Sequence, residues 1–433
     1  MPPRKAALSR SNHNIHFLWN SLMQNTTAPP LPPLAHKPHR IELVDAIRGF
    51  ALMGICLVHF MEYFELYWIN QDPTTLHNIV FFLFAGKAYA IFALMFGLSF
   101  FIIMDNQAQK GVKFSYRFAW RLVVLLIIGY IHTLLYLGDI LSVLGIIGLS
   151  LLFVQKLNNR WLVAAAALCL LQLPFYYQFY AALNNFPGAN DAPSHWAVFP
   201  EVYGALTKAN FSELVAINSW DGLTAKWLFF VESGRGIQLV GLFIVGLVLG
   251  RIGFFTQIER FAKARMIAVW VAVIATAVLY FANEHFKQLP ATLFQEKGMA
   301  KMYIEQIIGS YLSTAIMAAI LLLFMQCYLW RPTGKVLNLL APCGRISLSI
   351  YLIQTVVGIP LFYPAGYGGY LTLGQTNSLL IGIVFYGLLI VIAHWWIKRF
   401  YYGPVEWLWR SATYMTTNVP FKKPARDHAS PSD

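Results

Sequence analysis

The sequence predicts an all-α fold, a polytopic membrane protein of about ten transmembrane helices with both termini cytosolic, on three observations. Charged residues make up only 12% of the 433-residue chain and hydrophobic ones 58%, whereas a soluble domain carries about 25% charge to keep its surface wet. Apolar runs close to the ~20 residues needed to cross a bilayer core recur along the chain, and mean hydropathy is +0.56. The basic residues lie between those runs with a strong bias to one side. The formal net charge of +13 therefore reads as topology. The basic residues form no stripe with aromatic stacking partners, so no nucleic-acid partner is expected.

Taken in order, residues 1–40 are polar and proline-bearing, end in Lys37 and Arg40, and lack an apolar h-region. They read as a disordered basic cytosolic tail rather than a signal peptide. Residues 41–414 read as a single transmembrane helical domain with apolar runs at 44–67, 79–104, 118–138, 140–155, 161–181, 236–255, 265–283, 304–330, 346–363 and 377–397. The third and fourth runs are parted only by Gly138 and Asp139, the spacing of a tight hairpin, and the fourth is the shortest. The outside segment, about 182–235, is long enough to be a cap or a re-entrant segment. Residues 415–433 read as a second disordered tail. With the N-terminus in the cytosol, the outward segments hold Lys208, Lys226, Arg235, Lys287, Lys297 and Lys301. Lys87 falls within a span, and the other lysines and arginines face inward, as the positive-inside rule describes. Cys56, Cys169, Cys327 and Cys343 sit in or beside apolar runs without metal-ligand spacing. They read as small buried hydrophobes, with neither a metal site nor a disulfide framework.

Ionisable groups within spans are costly unless paired or hydrated, which makes them functional candidates. The first run travels outward, so Arg48 lies at its cytosolic mouth and His59 and Glu62 in its outer half. The second travels inward and brings Lys87 to similar depth. His132 ends the third run and Asp139 occupies the following turn. Arg235 and Gln238 open the sixth run and Glu305 the eighth. Together they predict a polar cavity open to the outside. Arg48 and His59 share a helical face about 16 Å apart, and Glu62 follows His59 at i+3, within its reach. The plainer alternatives are a hydrogen-bonded core histidine and a structural Glu62–Lys87 pair. On the cytosolic side, Asp45 can bridge Arg48 at i+3. The segment Gly344-Arg345-Ile346-Ser347 places a helix N-terminus, suited to an anion, at the same level. A phosphate-bearing donor could dock between these two ends; the alternative is that the arginines only anchor topology. Phosphate-loop, HExxH, GxSxG and dinucleotide motifs are absent from the sequence, which argues against ATPase, metalloprotease and serine-hydrolase chemistry of standard type.

The segments Leu43-Val44-Asp45-Ala46-Ile47-Arg48-Gly49-Phe50, Gly86-Lys87-Ala88-Tyr89-Ala90-Ile91-Phe92, Gly138-Asp139-Ile140-Leu141, Gly250-Arg251-Ile252-Gly253-Phe254, Gly344 to Gln354, and Tyr402-Gly403-Pro404-Val405-Glu406-Trp407 lie along the chain. Together they resemble the YeiB-type family of bacterial inner-membrane proteins, the domain of unknown function 418. The family usually has Asn where this chain has Ile350, and Asn at the position of His59. That histidine makes Arg48-x10-His59 similar to a motif of related transmembrane acyltransferases. Those relatives pass an acyl group from cytosolic acyl-CoA to a hydroxyl or amine outside.

The resemblance implies a bacterial inner (cytoplasmic) membrane protein and a transmembrane acyltransferase. Arg48, Arg345 and Ser347 would bind the donor. His59 would serve as general base or acyl carrier, with Glu62 orienting it. Lys87 or Arg235 would stabilise the oxyanion. Asp45, His132, Asp139, Arg235, Gln238 and Glu305 would support the polar cavity. No bound cofactor is expected; acyl-CoA is the expected donor substrate and the bilayer the expected partner. The alternative reading is a carrier or exporter of a small polar or anionic solute, coupled through Glu62, Lys87, His132 and Asp139. A third is a membrane scaffold with a structural polar cluster.

Overall fold

The computed structural model describes residues 41–290 and 298–424. The tail expected over 1–40 and the last part of the one expected over 415–433 lie outside the described residues. The chain is helical: α1 Glu42–Met61, α2 Thr75–Leu83, α3 Lys87–Ala108, α4 Ser115–Thr133, α5 Leu141–Val154, α6 Asn159–Leu170, α7 Leu173–Leu183, α8 His195–Leu206, α9 Phe211–Ile217, α10 Leu223–Glu232, α11 Arg235–Arg251, α12 Ala262–Gln288, α13 Gly298–Leu329, α14 Arg331–Leu337, α15 Ala341–Arg345, α16 Ser347–Phe362, α17 Gly374–Arg399 and α18 Pro404–Tyr414.

Each of the ten apolar runs falls on one helix or on a broken pair of helices, but the number long and apolar enough to span is smaller. Among the described residues it is six, or up to eight if each of two bent pairs is one span. Helix α5 has only 14 residues, about 21 Å against a hydrocarbon core of about 30 Å. Helix α4 carries Arg117 and Arg121 in its first turns. The α11 and α16 runs meet the length test only with their bent partners, across breaks of 68° and 82°.

Helix α1 is the centre of the bundle. Its most apolar window is 78% buried, whereas that of α12 is 17% buried and faces outward. Small residues let the neighbours close in. A Cβ on Gly97 would stand 2.0 Å from the Phe243 carbonyl oxygen, and one on Gly246 2.1 Å from that of Leu94, so α3 and α11 cross through reciprocal glycines. At the N-terminal end of α1, a Cβ on Gly344 would fall 1.8 Å from the Asp45 carbonyl oxygen, and one on Gly49 2.1 Å from that of Leu340.

The first run ends earlier than expected. Helix α1 stops at Met61, and Tyr63, Phe64 and Glu65 follow in left-handed conformation with φ of 52°, 52° and 80°. Such residues strain the backbone unless their surroundings hold them. Here the Tyr363 hydroxyl donates to the Phe64 carbonyl at 2.8 Å, and Tyr136 and Tyr203 hold the Glu65 carboxylate. The segment expected outside, about 182–235, folds into α8, α9 and α10. Helix α9 opens with a reciprocal cap between Asn210 and Glu213, and α10 turns its Lys226 into the core.

The C-terminal chain is ordered further than expected. The Met415–Pro424 stretch folds back, pairing Lys422 with Phe400 and setting Phe421 against Trp396 and Trp407. Helix α18 lies on the start of α4, where Arg121 stacks 3.6 Å from the Trp409 ring and the Trp409 indole donates to the Arg121 carbonyl. Its Glu406 carboxylate accepts from the backbone N–H groups of Leu348 and Ser349 at 2.7 and 3.1 Å and from the Ser349 hydroxyl at 2.5 Å. That satisfies the otherwise bare N-terminus of α16. Glu406→Ala is expected to lower stability by about 1–3 kcal/mol. Thermal unfolding in detergent would measure it, and an unchanged midpoint would show that water replaces the carboxylate at no cost.

Candidate functional site

Three polar levels are stacked along α1. At its first turn, Asp45 and Arg48 form the i+3 ion pair at 3.3 Å, and the Arg48 guanidinium also donates to the Ser99 hydroxyl of α3. Because Gly344 packs against the Asp45 backbone, Arg345 is carried to the same crossing. The expected donor-side residues Arg48 and Arg345 thus sit on two helices that cross here. Ser347 does not complete an anion site, however. The N–H groups of α16 are given to Glu406, so the anion at that helix end comes from the protein's own C-terminal helix.

The middle level is built around His59. The residue is half-buried, and its Nδ1 is sealed and has no hydrogen-bond partner among the described residues. The rings of Tyr136, Phe64 and Tyr351 surround it at 5.1, 5.3 and 6.4 Å. Glu62 does not orient it, because α1 has already ended and the carboxyl turns instead toward Trp68, Glu65 and Arg235. Behind the same tyrosines lies a second, fully connected network. His132 Nδ1 lies 2.8 Å from Asp139 Oδ1, and its Nε2 2.8 Å from Thr355 Oγ1. The Asp139 carboxylate also accepts from the N–H groups of Leu141 and Ser142, each at 3.0 Å, and from the Ser142 hydroxyl at 2.7 Å. Lys226 reaches in from α10, donating to Thr133 at 2.8 Å and Ser142 at 2.9 Å and standing 3.7 Å from Asp139. Burial pushes the Asp139 carboxyl up, but the hydrogen bond and charge of His132, together with Lys226, outweigh it and hold it below its ordinary range.

At the C-terminal end of α1, Glu62, Glu65 and Lys87 lie within electrostatic reach of Arg235. The Glu65 oxygens accept from Tyr136 at 3.1 Å and Tyr203 at 3.2 Å. Burial leaves the Glu65 carboxyl above its ordinary range despite those bonds. The Glu62–Lys87 pair, the plainer structural alternative, is not formed among the described residues. Lys87 follows the left-handed Gly86 at the start of α3 and gives its ammonium to the Phe81 carbonyl at 3.2 Å. Gln238 pairs with Thr314 at 3.1 Å and Glu305 with Lys301 at 3.8 Å. These two contacts belong to the sides of α11 and α13 rather than to a common cavity.

The spacing argument missed Lys226, Glu65, Tyr136, Tyr351 and Thr355. Lys226 carried a readable signal, being the one charged residue in Leu223–Val231. The others gain meaning only from contacts between distant segments.

Residues 40–189 match the family profile "Heparan-alpha-glucosaminide N-acetyltransferase, catalytic". Residues 249–416 match "Protein of unknown function (DUF418)". The chain is similar along most of its length to the "Uncharacterized protein YxaH" of Bacillus subtilis (strain 168), 26% identical over 414 residues that cover 89% of this chain and 96% of the relative. It is also similar to the "Uncharacterized protein YeiB" of Escherichia coli (strain K12), 24% identical over 412 residues covering 88% and 98%. A 39.9 kDa protein encoded in the amylase 3' region of Bacillus acidopullulyticus is 24% identical over 390 residues, covering 87% and 94%.

Proposed function

We propose that this chain, a YeiB- and YxaH-like protein of the DUF418 family, is a transmembrane acyltransferase that moves an acyl group from cytosolic acyl-CoA to an acceptor outside. The membrane embedding and a region like an acetyltransferase catalytic domain are its firm ground. None of the matched descriptions names a transporter. One observation carries the reading: His59, half-buried and without a bond at Nδ1, lies along the same helix as the Asp45–Arg48 pair, within the matched region 40–189. A histidine kept free of structural hydrogen bonds retains a lone pair for proton transfer.

In this reading both termini face the cytosol. Arg48 and Arg345 attract the phosphates of the donor, since guanidinium groups suit phosphate oxygens. Glu406 holds the neighbouring helix end in place. His59 removes a proton from the attacking hydroxyl or amine. Arg235, and Lys87 beside it, supply positive charge on the outer side, where the acceptor enters. With the protein in nanodiscs, acyl-CoA should bind saturably and lose its thioester. His59→Ala should slow turnover by about a hundredfold or more with little change in donor binding. A folded His59→Ala protein that keeps full turnover would remove the assignment.

A further inference from the structure

We propose that Thr355 is an acyl-carrying nucleophile, activated by His132 and Asp139 as a Thr–His–Asp triad inside the bundle. This rests on the acyl-transfer reading above and deepens it, because it adds a covalent intermediate at a residue other than His59.

The proton positions follow from the contacts. Asp139 accepts from two backbone N–H groups and a hydroxyl, with the Lys226 ammonium 3.7 Å away, so it is ionised and takes the Nδ1 proton of His132. Nε2 is then an acceptor, and the only proton available at 2.8 Å is that of the Thr355 hydroxyl. A helical threonine ordinarily gives this proton to the carbonyl one turn back. Thr133, Thr314 and Thr413 all do so here, at 2.9, 2.8 and 2.6 Å. Thr355 points its proton at the imidazole instead. Nucleophile, base and orienting carboxylate within hydrogen-bond reach are the signature of an activated hydroxyl, whatever the fold.

Position supports the role. Thr355 lies about 12 Å along α16 from Ser347, and that end of the helix adjoins Arg345 and the donor crossing. The Tyr351 ring, one turn before it, stands 5.1 Å from His132 and 6.4 Å from His59. The rings of Tyr136 and Tyr351 thus stand near both His132 and His59.

In the first half-reaction Thr355 Oγ1 bonds to the thioester carbonyl carbon, its proton moves to His132 Nε2, and the carbon–sulfur bond breaks. The CoA thiolate takes a proton from cytosolic water. His132 stays protonated against Asp139. In the second half the acceptor oxygen or nitrogen bonds to the ester carbonyl and gives its proton to His59. The bond to Thr355 Oγ1 breaks, and His132 returns the proton to that oxygen. His59 releases its proton to the outer water.

The test uses the full chain in nanodiscs with acetyl-CoA, acid quenching, and peptide mass spectrometry over Ser347–Phe362. An acetyl group on Thr355 is expected in the wild type, at higher occupancy in His59→Ala and absent in Thr355→Val. Turnover should fall about a hundredfold or more in Thr355→Val and be largely restored in Thr355→Ser, which also serves if the valine variant unfolds. Full turnover in Thr355→Val, with His59→Ala inactive, would overturn the carrier and leave the acyl-transfer reading standing. Acetylation of His59 in place of Thr355 would overturn it as well. No thioester cleavage by the wild type with acetyl-CoA or longer acyl-CoAs would remove both.

Discussion

Asp139→Ala should cost the protein a large share of its stability and abolish the acyl transfer proposed above. The carboxylate is fully buried and is the one acidic group within salt-bridge distance of Lys226, itself buried, among the described residues. Removing one member of a buried charge pair costs about 3–5 kcal/mol because the other charge is left uncompensated, against a total folding stability of about 5–15 kcal/mol. The loss is compounded at the N-terminus of α5, where the N–H groups of Leu141 and Ser142 lose their acceptor. Thermal unfolding and size-exclusion behaviour in detergent read the effect directly. The double variant Asp139→Ala with Lys226→Met should regain part of the stability, because it removes the stranded ammonium. Activity should stay lost in the double variant, since His132 has lost the carboxylate that sets its tautomer. A single variant as stable as the wild type would mean that Lys226 reaches water by another route.

The second large effect is expected at Gly344. An added Cβ would lie 1.8 Å from the Asp45 carbonyl oxygen and 2.8 Å from the Gly49 nitrogen. Both are backbone atoms of the central helix, so no side-chain rotation can relieve the clash. Overpacking of this kind costs about 1–3 kcal/mol, occasionally more, and here the relief must come from moving α15 away from α1. Gly344→Ala should therefore separate Arg345 from the Asp45–Arg48 pair and weaken acyl-CoA binding more than it lowers the unfolding midpoint. Isothermal titration with acyl-CoA, beside a thermal scan, distinguishes the two. Unchanged donor affinity would show that the crossing only packs helices and plays no part in holding the donor. Gly344→Val, with two further methyl groups against the same carbonyl, should fail to fold.

The sequence by itself determined that this is a helical membrane protein, because hydrophobic content and run length are properties of the local chain and the bilayer acts on each segment separately. It also determined the Asp45–Arg48 pair, since i+3 geometry needs only a helix. It singled out His59, His132 and Asp139, because an ionisable residue in an apolar run stands out against its own neighbours. What it misjudged depends on where helices stop and which of them touch. Glu62 looked like the partner of His59, but three left-handed residues end α1, and tyrosines from distant segments hold that turn in place. The helix end behind Ser347 looked open to an anion, yet Glu406, far along the chain, occupies it. Lys226 looked like an outside loop charge and is the counter-ion of a buried aspartate, while Thr355 was one polar residue in an apolar run. These are long-range pairings. No local period or motif encodes them, and only the packing of α1, α4, α10 and α16 around one another decided which groups share a proton.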